Sequence, residues 1–100
     1  NHPDLEREIE IIGLKAPDVD SKLARQVALA VNAMRGMGLY KPPGVAETID
    51  WSTALGKLGE SVLDEQTIKA TLGAVLKYRE DQDRVSAQGI ETIMAAAAHE

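Results

Sequence analysis

The sequence predicts an all-α fold, a bundle of four to five helices. Three observations support this prediction. Apolar residues recur at the helical spacing of three to four positions along most of the chain, and no stretch alternates strictly enough to require a β-sheet. The 100 residues include no Phe, one Trp and two Tyr, so the core must be aliphatic. A chain of this length forms one small domain.

The first two helices are predicted on either side of a short connection. Pro3 can occupy a first helical turn, and the apolar residues Leu5, Ile9 and Ile12 follow at helical spacing. Gly13 and Pro17 disfavour helix, so residues 13–18 are predicted to be the connection. Asp20 or Ser21 can cap the second helix. We expect this helix to end near two glycines, Gly36 and Gly38, which raise the entropy cost of a helix. Its apolar face carries Leu23, Val27, Ala30, Val31 and Met34.

A stiff turn separates the second helix from the third. Lys41-Pro42-Pro43-Gly44 cannot extend a helix, whereas the apolar pattern resumes at Val45. We expect the third helix to end at Gly59, because glycine tolerates the left-handed conformation found just past helix ends. Residues 60–63 are too short for a helix and are predicted to pair as an extended piece. Asp64 can then cap a fourth helix, whose apolar residues are Ile68, Leu72, Val75 and Leu76.

The end of the chain leaves two structural possibilities open. Residues 77–84 mix positive and negative charges, which usually marks a solvated helix face; the alternative is a surface that faces a partner. Residues 85–100 are rich in alanine and predict either a fifth helix or a frayed tail. We therefore assign the bundle to residues 1–85 and the helical or frayed tail to residues 86–100.

Composition and charge exclude several classes of function. The net charge of -5 and the lack of a basic patch argue against a nucleic-acid binder, including a helix-turn-helix protein, and against a membrane-surface protein. The chain has no cysteine for a disulfide or a thiolate metal site, and no apolar run long enough to span a bilayer. His2 and His99 lie at opposite ends without ligand spacing, so we expect both to be exposed. The cytoplasm is the expected location.

No catalytic residue is predicted in this chain. A phosphate-binding loop requires a glycine-rich segment followed by Lys and Ser or Thr, and that pattern is absent. There is also no apolar strand that ends in an acidic pair to hold magnesium. The chain alone should therefore not hydrolyse ATP. Met34, Met37 and Trp51 are expected in the core or at its edge.

Three segments together carry a resemblance to a known family. Residues 38–51 read GLYKPPGVAETIDW, residues 3–8 read PDLERE and residues 76–82 read LKYREDQ. In this order they resemble the C-terminal helical lid of one subgroup of MoxR-type AAA+ ATPases. The resemblance covers about residues 2–85, and the last fifteen residues match no family pattern.

The resemblance implies a function in a larger protein. An ATP-binding domain would precede Asn1, which is not an initiator Met, and the bundle would cover ATP and magnesium held by that domain. The proteins of this family that the chain resembles usually form hexameric rings, so neighbouring subunits are expected partners. They act as chaperone-like machines that remodel or mature other proteins, together with a partner bearing a von Willebrand factor A domain.

The same resemblance identifies a candidate nucleotide-proximal region. AAA+ lids present a sensor Arg to the phosphates at the start of their third helix, and Thr48 stands at that position here. Nucleotide would then be sensed through nearby Lys41, or through backbone and packing contacts of the turn, which contains Gly44, Val45 and Ala46. The alternative for Lys41 is an exposed, solubilising side chain. The alternative for the whole chain is a free-standing acidic helical domain that offers a groove to a partner helix.

Overall fold

The structure, a computed structural model, describes residues 2–98. All regular secondary structure in these residues is helical, as predicted. The helices are α1 (Leu5–Lys15), α2 (Ser21–Arg35), α3 (Val45–Lys57), α4 (Glu65–Val75), α5 (Arg79–Arg84) and α6 (Ile90–Ala98). A π-helical turn, Val85–Gly89, joins α5 to α6, so the last two helices form one continuous rod. The fold is therefore a bundle of five helical rods.

Aspartate side chains cap the N-termini of three helices. Asp4, Asp20 and Asp64 each accept a hydrogen bond at 2.8 Å from the backbone N–H three residues later. Such a bond satisfies an amide that has no partner within the helix. The predicted caps Asp20 and Asp64 are confirmed. At the first helix the prediction is wrong by two residues, because Asp4 caps α1 and Pro3 lies before it.

Two predicted connections differ in the structure. Helix α1 continues through Gly13 to Lys15, because a single exposed glycine costs only about 1 kcal/mol and the flanking turns stay helical. The connection to α2 therefore starts at Ala16. Residues 60–63 do not pair as an extended piece; the backbone N–H of Leu63 donates instead to Oε1 of Gln26 at 3.1 Å. Gly59 has φ 72°, as expected for the end of α3.

The core lies around α2, whose inner face is fully buried. Helix α6 packs along α2 and buries Ile90, Ile93 and Ala97, so the alanine-rich end belongs to the same core as the rest of the bundle. Of the two possibilities for the tail, residues 86–98 adopt the helical one. Met34 and Trp51 are fully buried and Met37 lies at the edge of the core, as expected.

Candidate functional site

The turn between α2 and α3 is anchored at its second half by a buried ion pair. Arg35, the last residue of α2, donates two hydrogen bonds to the carboxylate of Glu8 on α1, at 2.8 and 2.7 Å. Its third nitrogen, Nε, donates to the carbonyl oxygen of Pro43 at 2.8 Å. The hydroxyl of Thr48 lies 2.9 Å from Glu8 Oε2 and 3.0 Å from the carbonyl oxygen of Gly44, and its single proton is shared between them. One carboxylate thus connects α1, the end of α2 and the start of α3.

A second buried carboxylate holds the first half of the turn. The backbone N–H groups of Tyr40 and Lys41 donate to the two carboxylate oxygens of Asp81, at 2.9 and 3.0 Å. Asp81 is buried although it lies on α5 within the charged stretch 77–84. The solvated-face interpretation is therefore wrong for Asp81, because two backbone amides compensate the loss of water. The other charged residues of that stretch, Lys77, Arg79, Glu80, Asp83 and Arg84, are exposed.

A third carboxylate, that of Glu47, occupies the start of α3. Its Oε1 accepts the backbone N–H of Gly44 at 2.9 Å, and Lys77 Nζ lies 3.9 Å from its Oε2. The hydrogen bond from Gly44 is the main cause of the lowered pKa of Glu47; partial burial opposes this effect, and the positive charges of Lys77 and Lys41 add to it. A phosphate at this helix start would meet the Glu47 carboxylate, flanked by two lysines.

The five residues of the predicted nucleotide-proximal region lie on one segment of the chain, but they differ in how much of each is exposed to solvent. Thr48 is fully buried, so its hydroxyl faces Glu8 and not the surface. Gly44 and Val45 are half-buried, whereas Lys41 and Ala46 are exposed. Lys41 is the one side chain of the five that offers a charge to solvent. If this turn meets a phosphate through a side chain, Lys41 is the residue that can reach it.

The anchoring residues Glu8, Arg35 and Asp81 were not predicted from the sequence. For Glu8 a signal existed, because positions 5, 8 and 12 share one face of a helix and the other two are Leu5 and Ile12. A charged residue on an apolar face indicates a buried partner. For Asp81 no comparable signal is present in its strongly charged neighbourhood.

A shallow, open depression with two aromatic side chains lies beside the first half of the turn. Tyr40, Tyr78 and Glu80 line this depression, which has a volume of about 270 Å³. Tyr40 and Tyr78 are both exposed. In the sequence Tyr40 directly precedes Lys41, the exposed cation of the turn.

Comparison with protein-family models, with curated proteins and with solved structures finds no match. Within residues 2–98, no group of three or more His, Cys, Asp or Glu side chains is placed to hold a metal ion. None of the helices in this part of the chain has the length and apolar character needed to cross a membrane. His2 is exposed, and His99 lies outside the described residues.

Proposed function

We propose that this chain is the C-terminal lid of a MoxR-type AAA+ ATPase, which covers ATP and magnesium held by a preceding ATP-binding domain. The proposal starts from the resemblance of residues 38–51 to the lid segment of that family. The structural observation that supports it best is the anchoring of the same segment by two buried carboxylates, Glu8 and Asp81, and the largely buried Arg35. A turn that reads a ligand must be held in place, since small displacements weaken such contacts.

In this proposal Lys41 takes the role that a sensor Arg has in related lids. An exposed ammonium group is a point charge suited to phosphate oxygens. Asp81 fixes the backbone of Lys41, so the side chain starts from a defined position. Thr48, at the expected sensor position, contributes instead to the packing of the turn through Glu8.

The buried contacts also suggest how the lid would transmit nucleotide state. The turn is bonded to α2 through Arg35 and to α5 through Asp81. Glu8 of α1 in turn binds Arg35 and Thr48, the residues on either side of the turn. A displacement of the turn on ATP hydrolysis would therefore carry these helices with it as one body. By the same resemblance, we propose that the bundle contacts a neighbouring subunit of a hexameric ring. The ring would drive chaperone-like remodelling or maturation of other proteins, with a von Willebrand factor A domain protein as partner.

The Lys41 part of the proposal is tested in the protein that carries both this bundle and the ATP-binding domain. Lys41→Ala should weaken ATP binding and slow turnover, by about ten- to 150-fold in the two together, since a charge-assisted hydrogen bond contributes about 1.5–3 kcal/mol. Titration calorimetry measures the affinity, and phosphate release measures the turnover. The matched control is Lys57→Ala, which removes an exposed lysine from the opposite end of α3. Equal affinity and equal turnover for the two variants would contradict the assignment of Lys41.

A further inference from the structure

The rod formed by α5, the π-helical turn and α6 has a buried residue at every fourth position. These residues are Asp81, Val85, Gly89, Ile93 and Ala97. In a continuous α-helix four residues turn by about 400°, so a stripe with this spacing drifts by about 40° per step. Over the whole stripe Asp81 would point about 160° away from Ala97. A rod that was α-helical throughout would therefore not present both ends of the stripe to α2 and to the turn that follows α2.

The π-helical turn, Val85–Gly89, brings the two ends back to one side of the rod. Its hydrogen bonds join residues five positions apart instead of four, so it takes in one extra residue within a single turn. The angle between Asp81 and Ala97 thereby falls by the rotation of one residue, from about 160° to about 60°. The π-helical turn thus allows α5 and α6 to make their contacts at the same time.

The two ends of the rod are held by different kinds of contact. Helix α6 packs along α2 through buried apolar side chains. At the last residue of the π-helical turn, Met37 Sδ lies 3.2 Å from the position that a Cβ of Gly89 would take, so this end fits closely against the residues after α2. Helix α5 buries one residue, Asp81, whose carboxylate accepts the backbone N–H groups of Tyr40 and Lys41. Two hydrogen bonds therefore hold the α5 end, whereas apolar packing holds the α6 end.

We propose that the π-helical turn is a joint that lets α5 switch between two registers. In the latched register, which the structure shows, Asp81 holds the first half of the turn between α2 and α3. In the released register the whole rod is one α-helix, α5 is rotated by about 100° about the rod axis, and Asp81 leaves that turn. Gln82 and Ser86, which are half-buried in the latched register, then take the places of Asp81 and Val85.

Each register makes contacts that the other gives up. The latched register keeps two hydrogen bonds to a carboxylate and the burial of Val85, whereas the released register replaces a rare π-helical turn by α-helical hydrogen bonds. A ligand that draws the turn between α2 and α3 away from α5 favours the released register, because it removes the bonds that only the latched register makes. The joint then decides whether a movement of that turn also carries α5. It acts in the same way whatever the turn binds, so it is independent of the nucleotide role proposed for Lys41.

Deletion of Ala87 from the 100-residue chain tests the joint. Ala87 is an exposed residue of the π-helical turn, and its deletion removes the extra residue from the rod. A rod that is α-helical throughout then keeps Asp81 on the turn between α2 and α3 while α6 stays on α2, so the latched register is the only one left. Hydrogen exchange of the Tyr40 and Lys41 backbone amides, measured by nuclear magnetic resonance, should therefore slow by about threefold or more. Equal or faster exchange in the deletion variant would overturn the proposal.

The matched control is Ala87→Ser, which keeps the number of residues in the rod. Serine forms helices only slightly less well than alanine, so exchange of the Tyr40 and Lys41 amides should stay within about twofold of the original chain. A slowing equal to that of the deletion variant would show that the number of residues in the rod does not matter, and would overturn the proposal.

A measurement on the original chain distinguishes a change of register from unfolding of α5. A change of register keeps α5 helical, so the Tyr40 and Lys41 amides should exchange about tenfold or more faster than the amides of residues 83–85. This result does not depend on whether the deletion variant folds. Exchange of both groups of amides at one common rate would show that α5 unfolds when Asp81 is released, and would contradict the joint.

Discussion

Glu8→Gln removes the negative charge of a buried ion pair while it keeps the shape of the side chain. The side chains of Glu8 and Arg35 are only 2% and 9% exposed, and the carboxylate accepts two hydrogen bonds from the guanidinium group. In the variant, Arg35 keeps its charge without a counterion. One of the two oxygens becomes an amide N–H₂ group, which faces a guanidinium N–H donor in either orientation and also meets the hydroxyl of Thr48 when it replaces Oε2.

The expected loss is a large fraction of the stability of the protein. Removing one partner of a buried ion pair lowers the free energy of unfolding by about 3–5 kcal/mol. The total free energy of unfolding of a protein is about 5–15 kcal/mol. With a urea dependence of about 1–3 kcal/mol per molar, a loss of about 3 kcal/mol lowers the unfolding midpoint by about 1–3 M. Combining Glu8→Gln with Arg35→Met should cost less than the sum of the two single changes, by about 1–3 kcal/mol.

Urea denaturation followed by Trp51 fluorescence is the assay, since Trp51 is the single tryptophan and is fully buried. The chain offers a matched control in the pair formed by Glu6 and Arg25, which joins the same two helices at 3.3 Å but is 78% and 40% exposed. Glu6→Gln should cost at most about 1 kcal/mol. If Glu8→Gln costs no more than Glu6→Gln, the buried pair does not hold α1 to the end of α2, and the reasoning is wrong.

Three further predictions test other parts of the structure. Because folding lowers the pKa of Glu47, its contribution to stability is complete above the ordinary pKa of about 4.3 and is lost as the pH falls through the folded value. The free energy of unfolding should therefore fall more steeply with acid in the original chain than in Glu47→Gln, and equal slopes in urea titrations would refute this. Asp81→Asn should lower the free energy of unfolding by about 1–3 kcal/mol and speed hydrogen exchange of the two backbone amides that Asp81 binds. The control Asp83→Asn should change the free energy of unfolding by less than about 0.5 kcal/mol. Similar exchange rates of these two amides in both variants would contradict the prediction. Gly13→Ala should stabilise the protein by about 0.5–1 kcal/mol, because Gly13 lies in a helix with open space beside it. Gly59→Ala should destabilise it by about 1–2 kcal/mol, because Gly59 has φ 72°, in the left-handed region that disfavours a side chain. Thermal unfolding decides between these two signs, and the opposite order would contradict the assigned conformations.

The helices were predictable because their signals are local. The apolar face of α2, the cap at Asp64 and the turn at residues 41–44 all depend on residues within a few positions of one another. Gly13 shows the limit of local reasoning. Its weak helix preference costs only about 1 kcal/mol, and the helix continues to its C-terminal cap Ala16, whose burial in the core sequence spacing does not measure.

The candidate site was predictable only in position. The resemblance places residues 41–48 in one segment; in the structure residues 41–44 precede α3 and residues 45–48 form its first turn. How that turn is held could not be predicted, since Glu8 lies 27 residues from Arg35, and Asp81 lies 40 residues from Lys41. Local patterns describe a charged residue as exposed unless a distant partner is known. Thr48 was placed near nucleotide by the resemblance alone, and in the structure it is fully buried with its hydroxyl against Glu8.

The central claim is that this bundle serves an ATP-binding domain in the same protein. The most direct measurement is the sequence of the native coding region that precedes the codon for Asn1. The account predicts that it encodes an apolar strand followed by Gly-x-x-x-x-Gly-Lys and then Ser or Thr, the loop that binds nucleotide phosphates. A native gene that encodes only this helical bundle would contradict the account and would favour a free-standing acidic interaction domain.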